Sequence, residues 1–190
     1  MNNSFFSLIF RQKYIKRWGL MRNITEENLS SHSFEVAVLA QALAIIGNTY
    51  FGKSYNVDRV CTIALFHDAE EVFTGDMPTP IKYFNEDMRD NYKKVELAAA
   101  DSLLSKLPKE LKPIYDDILK NDDKEIHILV KAADKLAAYI KCIEEEKCGN
   151  TEFTNASKAT KESLDKMDSQ ELKWFMENIL PSFFLTVDEM

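Results

Sequence analysis

The strongest periodic signal in the chain lies between residues 126 and 140. Its apolar residues recur every three or four positions, the spacing of one face of an α-helix; they are Ile126, Leu129, Val130, Ala133, Ala137 and Ile140. Asp134 falls on the same face, and a carboxylate on a buried face needs a partner. The pair Gly149-Asn150 predicts the end of this helix. We therefore expect a long core helix that carries one inward-facing carboxylate.

The rest of the chain also favours helices, so the fold class that we predict is all-α in a single domain over residues 1–190. Only 5 Gly and 5 Pro are present, and few stretches alternate apolar and polar residues as strands do. Further helices are predicted over 4–16, 31–47, 57–73, 84–106 and 110–120, with one or two more over 152–178. Ser30 or Ser31 is expected to cap the second helix, which Gly47-Asn48 would end. Asn56 or Asp58 is expected to cap the third.

Charge and hydropathy exclude several classes of partner. The chain has 24 Lys and Arg against 31 Asp and Glu, a net charge of −7, which disfavours nucleic-acid binding. The most apolar stretch, Phe34 to Ile46, contains Glu35 and is shorter than the roughly 20 residues of a membrane span, so a core helix is expected and no membrane association. The N-terminus does not resemble a signal peptide. The three cysteines form no CxxC and are typical of reduced thiols in a cytoplasmic protein.

The adjacent pair His67-Asp68 is the first sign of a functional site. It lies near the end of the helix predicted over 57–73, with Glu71 one turn further along the face of His67. A divalent metal ion is one partner that satisfies a buried imidazole and a buried carboxylate together. His32, in the first turn of the second predicted helix, and Asp134 could supply further ligands. Two imidazoles and two carboxylates suit a catalytic first-row metal with positions left open for water and substrate.

Each of these residues has a structural alternative. A single histidine on an apolar face is more often a hydrogen-bonded core residue than a ligand, and Asp134 could instead pair with Lys131 or Lys135. His127 has no carboxylate near it in the sequence, and we expect it to be structural or exposed. Spacing alone leaves the metal site and the purely structural interpretation equally open.

Longer sequence blocks favour the metal site. His32, then His67-Asp68, then Asp134 resembles the H…HD…D pattern of HD-domain metal-dependent phosphohydrolases. The match extends to RWGLMRN (17–23), ENLSSHSFEVA (27–37), HDAEEVFTGDMPTPIKYF (67–84), KAADKLAAYIKCIEE (131–145) and FMENILPSFFL (175–185). These blocks, in this order and over nearly the whole chain, resemble the bacterial 5'-deoxynucleotidase (YfbR-type) family.

The resemblance implies a fold, a reaction and a set of roles. It implies a helical HD fold, a homodimer and hydrolysis of 2'-deoxyribonucleoside 5'-monophosphates by a water molecule that a divalent metal, commonly cobalt, manganese or copper, activates. Metal-ligand positions fall on His32, His67, Asp68 and Asp134, of which His32, Asp68 and Asp134 are also expected to contact the substrate. Catalytic positions fall on Glu71, which would assist the attacking water, and on Asp68 and Arg17. The substrate-binding positions are Arg17 for the phosphate, Trp18 for the sugar, and Asp76, Met77, Pro78 and Thr79 in a loop.

Physical arguments agree with these roles and leave alternatives. The guanidinium of Arg17 can bind a phosphate through two hydrogen bonds, although Arg17 and Trp18 could form only a cation–π pair. Asp76 can accept a hydrogen bond from a sugar hydroxyl or be a turn residue beside Gly75, and a bulky Trp18 could exclude a 2'-hydroxyl. Glu70 stands where the family pattern has a small residue, and we expect it to be solvated, with Glu71 acting.

Two other functions remain open from the sequence. One is an HD enzyme that hydrolyses nucleoside triphosphates or guanosine alarmones, although such substrates should require more Lys and Arg than Arg17 and Arg22 provide. The other is a helical domain that binds nucleotide or metal without catalysis.

Overall fold

The computed structural model describes residues 3–82 and 84–190, without the side chains of Thr79 and Pro80. Within these residues the chain is helical, and no strand is present beyond one isolated antiparallel bridge between Lys16 and Asn28. The all-α prediction is therefore confirmed. The α-helices are α1 (Phe5–Ile9), α2 (Leu29–Tyr50), α3 (Val57–Leu65), α4 (Glu71–Thr74), α5 (Thr79–Lys82), α6 (Glu86–Leu104), α7 (Lys112–Leu119), α8 (Lys124–Lys147), α9 (Thr154–Asp165) and α10 (Gln170–Asn178).

The chain divides into two compact units. The first contains residues 1–20, 26–33 and 66–122, and the second contains residues 21–25, 34–65 and 123–190. The first unit has a small apolar core around Phe5, Ala69, Leu103, Leu104 and Leu107. The second has a larger core, to which α2, α3, α8 and α10 contribute.

Helix α8 confirms the strongest periodic pattern of the sequence. All six residues of the predicted apolar stripe are buried, and the helix ends at Lys147, before Gly149 with a φ of 82°. The side chain of Asp123 caps its N-terminus by accepting hydrogen bonds from the backbone N–H groups of Glu125 and Ile126. Asp134 is half-buried on this helix, and His127 is exposed.

Helix α2 begins earlier than the sequence predicted. Asn28, not Ser30 or Ser31, caps it, because its Oδ1 accepts hydrogen bonds from the N–H groups of Ser30 and Ser31 at 3.0 and 3.1 Å. The Oγ atom of Ser31 in turn accepts from the N–H of Asn28 at 3.2 Å. This reciprocal arrangement fixes the first turn of α2 and hence the backbone position of His32.

Helix α2 also ends later than predicted, because Gly47 is a packing residue and not a stop. A Cβ atom at Gly47 would lie 2.6 Å from Cε2 of Tyr55 and 3.1 Å from Cγ of Glu171. Tyr55 cannot move away easily, since its hydroxyl donates to Glu171 at 3.0 Å and its N–H donates to Asn48 at 2.8 Å. Glycine at this position therefore allows the segment after α2 to pack against the helix.

Helix α2 is long and apolar enough to cross a membrane by length and composition, and just over half of that window, 56%, is buried. Val36, Ala40 and Leu43 are fully buried in the core of the second unit, as the sequence predicted for a core helix. Cys61, Cys142 and Cys148 form no disulfide within the described part of the chain.

Other predicted boundaries hold to within a few residues. Asn56 caps α3 by accepting from the N–H of Arg59 at 3.0 Å. Asn85 caps α6 by accepting from the N–H of Met88 at 2.7 Å. The predicted first helix is shorter, because residues 10–14 continue α1 as a 3₁₀ turn.

Candidate metal and phosphate site

His67 and Asp68 lie on a tight turn between α3 and α4, and the prediction of one continuous helix over 57–73 was wrong. The backbone N–H groups of Ala69, Glu71 and Phe73 bond to carbonyls three residues earlier, at 3.1, 3.2 and 3.0 Å, which is 3₁₀ and not α-helical spacing. Gln12 also reaches the turn, and its Nε2 donates to the carbonyl of Asp68 at 3.3 Å. These bonds stabilise the backbone that carries the HD pair.

His32, His67 and Asp68 come together as potential metal ligands in the first unit. One donor atom from each lies within 4.8 Å of the others. Oδ2 of Asp68 is 3.0 Å from Nε2 of His67 and 3.8 Å from Nε2 of His32. His32 is fully buried, so its imidazole is held in a fixed position from the first turn of α2. This part of the predicted ligand set is assembled by the fold.

Glu27 orients the buried imidazole of His32. Its Oε1 lies 3.1 Å from Nδ1 of His32, and a proton on Nδ1 would leave the lone pair of Nε2 on the side of Asp68. A carboxylate behind a ligating histidine is the usual way in which proteins fix that tautomer. Burial raises the pKa of Glu27, but the hydrogen bond with His32 and the charge of Arg17 outweigh it and lower the pKa below its ordinary value.

Arg17 and Trp18 share the same carboxylate. Nε of Arg17 donates to Oε1 of Glu27 at 3.0 Å, and Nε1 of Trp18 donates to Oε2 at 2.7 Å. Nη1 of Arg17 lies 3.5 Å from Oδ1 of Asp76 and 3.8 Å from Oδ2 of Asp68. The guanidinium therefore lies within an ion pair's reach of one candidate ligand, and it supplies a positive charge at the edge of the metal-ligand group.

Trp18 has a backbone φ of 56°, which a bulky L-residue rarely adopts. Strain of this kind persists where the surroundings fix the conformation, and it concentrates at functional sites. Here the indole N–H is fixed by Glu27. The backbone on its N-terminal side is fixed as well, because the N–H of Arg17 donates to the carbonyl of Glu27 at 3.0 Å.

Glu71 is more deeply buried than Glu70 and Asp76, the acidic residues beside it in the chain. Its side chain is 5% exposed, and among the described residues none hydrogen-bonds to its Oε2 atom. Burial, followed by the charges of Asp68 and Asp76, raises the pKa of Glu71 to about 9. A buried carboxyl with an unused oxygen near candidate histidine and aspartate ligands is suited to bind water or a cation.

Glu70 is half-buried, contrary to the expectation that it is solvated. Burial raises its pKa to about 7. Glu71 is buried and Glu70 only partly so, which distinguishes the environments of the two carboxyl groups.

The loop after α4 carries Asp76, Met77 and Pro78, all half-buried. Gly75 has a φ of 72°, which lets the chain turn after the helix. Burial raises the pKa of Asp76, although the charge of Arg17 opposes this. The carbonyl of Pro78 accepts from the N–H groups of Ile81 and Lys82 at 2.8 and 3.1 Å and so begins α5. The side chain of Thr79 lies outside the described residues, and its predicted contact with substrate stays a prediction.

The fourth predicted metal ligand, Asp134, belongs to α8 in the second unit. Its role as a ligand and as a substrate contact stays a prediction from the sequence.

Glu27 and Gln12 were not found by sequence reasoning. Glu27 lies in the ENLSSHSF block, five residues before His32, and a carboxylate so close to a candidate histidine ligand could have suggested its orienting role. Gln12 gave no such signal, because it reaches Asp68 across 56 residues of sequence.

Comparisons with known proteins identify the family. The sequence profile of the YfbR-like 5'-deoxynucleotidase family matches residues 4–183. The 5'-deoxynucleotidase YfbR of Escherichia coli is 45% identical over 190 residues, covering 98% of this chain and 94% of that protein. The crystal structure of an HD-domain phosphohydrolase from Listeria innocua superposes with a TM-score of 0.80 at 25% identity, covering 97% of this chain and 90% of the other.

A more distant structure shares the fold. The HD phosphohydrolase DatZ of cyanophage S-2L, solved with dA and one catalytic Zn²⁺ ion, has a TM-score of 0.67 at 19% identity, with coverage of 93% of this chain and 95% of DatZ. Because the profile matches almost the whole chain and the E. coli relative is similar over nearly its full length, the chain belongs to the YfbR-like 5'-deoxynucleotidase family of HD-domain phosphohydrolases.

Proposed function

We propose that the protein is a metal-dependent 5'-deoxynucleotidase that hydrolyses 2'-deoxyribonucleoside 5'-monophosphates to deoxynucleoside and phosphate. The observation that carries the proposal is the convergence on one carboxylate. Oδ2 of Asp68 is 3.0 Å from an imidazole nitrogen of His67 and 3.8 Å from the guanidinium of Arg17. Metal donors and a phosphate-binding cation thus meet at one atom, as a metal-dependent phosphomonoesterase requires.

The residues present fit a divalent metal ion. Two neutral imidazoles and a carboxylate form a donor set that first-row metals prefer. The Oε2 atom of Glu71 is buried and has no hydrogen-bond partner among the described residues. His32, His67 and Asp68 would hold the ion, with Asp134 as the expected fourth ligand. When bound, such an ion lowers the pKa of water and polarises a phosphoryl oxygen. The donor set suits cobalt, manganese, copper or zinc, and the proposal commits only to one divalent ion.

Arg17 binds the phosphate in this proposal. Its side chain is 12% exposed, and the hydrogen bond from Nε to Glu27 fixes the plane of the guanidinium while Nη1 points towards Asp68 and Asp76. A fixed planar donor loses little conformational freedom when it binds a phosphate dianion. Asp68 contributes to catalysis by holding Arg17 as well as by ligation.

Glu71 accepts the proton of the attacking water. A general base must be ionised, and in the protein without metal the pKa of Glu71 is raised by burial and by Asp68 and Asp76. Arg17 and Lys82 lower it, and a cation at the neighbouring ligands acts in the same direction. Glu71 therefore becomes a competent base when positive charge is present at the site.

In this proposal the deoxyribose is bound by Trp18 and by the loop that carries Asp76, Met77, Pro78 and Thr79. The indole of Trp18 is held by Glu27, so its position is rigid enough to exclude a substrate with an added 2'-hydroxyl. Asp76 accepts a hydrogen bond from a sugar hydroxyl. His32, Asp68 and Asp134 border the same substrate.

We also propose the wider setting that the family pattern implies. The whole chain acts as one HD phosphohydrolase domain, the protein forms a homodimer, and it works in the cytoplasm. The net charge of −7 supports the absence of nucleic acid and anionic membrane among its partners.

Glu71→Ala tests the function, and Glu70→Ala is the matched control. With metal added, the wild type should release phosphate from dAMP, Glu71→Ala should lose about a hundredfold or more of that rate, and both variants should bind as much metal as the wild type. Equal rates for Glu71→Ala and the wild type would rule out this mechanism. A fully metal-loaded wild type that releases no phosphate would favour a binding-only domain.

A further inference from the structure

A buried ion pair on α8 has no role in the site described above. Lys141 and Glu145, one helical turn apart, are 5% and 1% exposed, and the ammonium of Lys141 donates a hydrogen bond to Oε1 of Glu145. Two buried charges lose their hydration, and a well-packed apolar pair of similar volume often gives equal or greater stability. The pair therefore calls for a reason other than the stability of the core.

Both charges hold the end of one irregular stretch of backbone, residues 21–25, by bonding to Ile24 and Thr25. Oε2 and Oε1 of Glu145 accept from the N–H groups of Ile24 and Thr25 at 2.9 and 3.1 Å. Lys141 donates to the carbonyl of Thr25 at 2.5 Å. Asn150 donates from one amide nitrogen to Oε2 of Glu145 and to the carbonyl of Arg22, both at 2.7 Å.

These contacts also determine the charge state of Glu145. Burial alone would raise its pKa, but the hydrogen bonds from Lys141, from Asn150 and from two backbone N–H groups outweigh burial and lower it to about 2. The carboxylate is therefore ionised at every pH at which the protein is expected to work, and both of its oxygens are occupied.

The segment held in this way lies between the residues that shape the phosphate and sugar site. It follows Arg17 and Trp18 in the chain, and only Glu26 separates it from Glu27. The ends of the loop are already joined, because the N–H of Arg17 donates to the carbonyl of Glu27 at 3.0 Å and Lys16 forms an antiparallel bridge with Asn28. The ends of the loop are thus held by hydrogen bonds to each other, and Arg22, Ile24 and Thr25 are held by side chains of the second unit.

We propose that Lys141 and Glu145 are positioning residues for the deoxynucleotidase reaction, which hold residues 21–25 and thereby keep Trp18 and Arg17 on the carboxylate of Glu27. The inference rests on the proposed function for its catalytic consequence, but not for its structural one. The hydrogen bonds of Lys141 and Glu145 given above join them to each other, to Ile24 and Thr25, and to Asn150. Their effect passes through the backbone of the loop.

The test replaces the ion pair with apolar side chains of similar length in Lys141→Met/Glu145→Met. Trp18 is one of two tryptophans, so a Trp174→Phe background makes fluorescence report Trp18 alone. Phenylalanine retains an aromatic ring for the stack of Trp174 on Tyr50. We expect the emission of Trp18 to shift to longer wavelength and its quenching by acrylamide to increase, at a temperature where circular dichroism shows the variant folded.

The catalytic consequence is measured on the same proteins. We expect kcat/KM for dAMP to fall about tenfold or more, as it does when a catalytic group is misplaced by a fraction of an ångström to 1 Å, and the dAMP/AMP ratio to fall. Asn150→Ala should change the same quantities in the same direction, but by less. It replaces the double variant as the test if the double variant does not fold. Lys161→Ala is the matched control, because it breaks an exposed pair with Asp165, also one turn apart on a helix. Lys161→Ala should leave the emission and quenching of Trp18 and the kcat/KM for dAMP unchanged.

Two results would overturn the inference. Unchanged emission and quenching of Trp18 in folded Lys141→Met/Glu145→Met and Asn150→Ala would show that the pair does not position the loop. A shifted Trp18 signal with an unchanged dAMP/AMP ratio would show that the loop position does not matter for selection. If the parent protein has no deoxynucleotidase activity, the proposed function fails, but the fluorescence comparison still tests the positioning.

Discussion

The carboxylate of Glu27 lies 3.1 Å from Nδ1 of His32 and accepts hydrogen bonds from Arg17 and Trp18 at 3.0 and 2.7 Å. One side chain thus contacts the proposed metal ligand, the residue proposed to bind the phosphate and the residue proposed to face the sugar. If these roles hold, the metal, phosphate and sugar functions are coupled through Glu27, and a change there should affect all three.

Glu27→Gln should weaken metal binding by about 10- to 100-fold, the usual consequence of losing the carboxylate behind a histidine ligand. The side-chain amide of glutamine does not select one tautomer of His32. Its NH₂ group also cannot accept the hydrogen bonds that Arg17 and Trp18 donate. Affinity is measured by competition with a chromophoric chelator. Glu26→Gln is the control, because Glu26 is exposed and pairs only at the surface with Lys16. Equal affinities in the two variants would contradict the role of Glu27.

Trp18→Ala should raise activity on ribonucleotides relative to deoxyribonucleotides by about tenfold, because a smaller side chain no longer excludes the 2'-hydroxyl. Trp18→Phe separates size from hydrogen bonding, since it retains most of the bulk and loses the N–H that binds Glu27. The measurement is the ratio of kcat/KM for AMP and dAMP, with Trp174→Phe as the control. An unchanged ratio in Trp18→Ala would remove Trp18 from the sugar pocket.

Glu71→Gln should stabilise the metal-free protein relative to the wild type, and the stabilisation should increase as pH rises. The pKa of Glu71 is raised from 4.5 to about 9 by burial and by neighbouring carboxylates. Between those values the folded protein binds a proton that the unfolded chain releases, so this residue makes the free energy of unfolding fall with increasing pH. Glutamine does not titrate and abolishes that loss of stability. The difference in the free energy of unfolding between Glu71→Gln and the wild type should therefore grow by up to about 1.4 kcal/mol per pH unit.

The comparison requires urea unfolding of the wild type and Glu71→Gln in a metal chelator at pH 5 and pH 8. Titrating groups that do not interact with Glu71 contribute equally to both proteins and cancel. A difference in the free energy of unfolding that does not change with pH would contradict the raised pKa.

Gly47→Ala should destabilise the protein although it replaces glycine inside a helix. Helix propensity alone favours alanine by about 1 kcal/mol. The new Cβ would lie 2.6 Å from the ring of Tyr55, and overpacking of this kind costs about 1–3 kcal/mol. Thermal unfolding measures the net effect. Gly19→Ala is the control, because a Cβ there meets nothing within 4 Å. A stabilised Gly47→Ala protein would show that Tyr55 can move.

Helical periodicity predicted the all-α class and the core face of α8, because burial of one face dictates the spacing of apolar residues. It failed where a local contact decides the outcome. Asn28 and Ser31 compete for the cap of α2 with equally suitable side chains, and only the fold shows that Asn28 holds the N-terminus. Gly47 resembles a helix stop until the packing of Tyr55 against it is known.

The site was predictable in part for a related reason. The HD pair and His32 are recognisable because their residue types suit a metal and match a family pattern. The turn that carries the pair is 3₁₀, so the helical face that appeared to join His67 and Glu71 does not exist. The role of Glu27 was not predicted because Glu27 acts through other residues. Its partners His32, Arg17 and Trp18 are recognisable only from interatomic distances in the folded protein.

The most direct test of the proposed function is a substrate panel with the fully metal-loaded protein. Phosphate release is measured from dAMP, AMP and dATP, with triphosphate release from dATP followed in parallel, before and after removal of metal by a chelator. We expect metal-dependent phosphate release from dAMP that exceeds release from AMP, and no triphosphate. Triphosphate release from dATP without hydrolysis of dAMP would contradict it and identify a triphosphohydrolase.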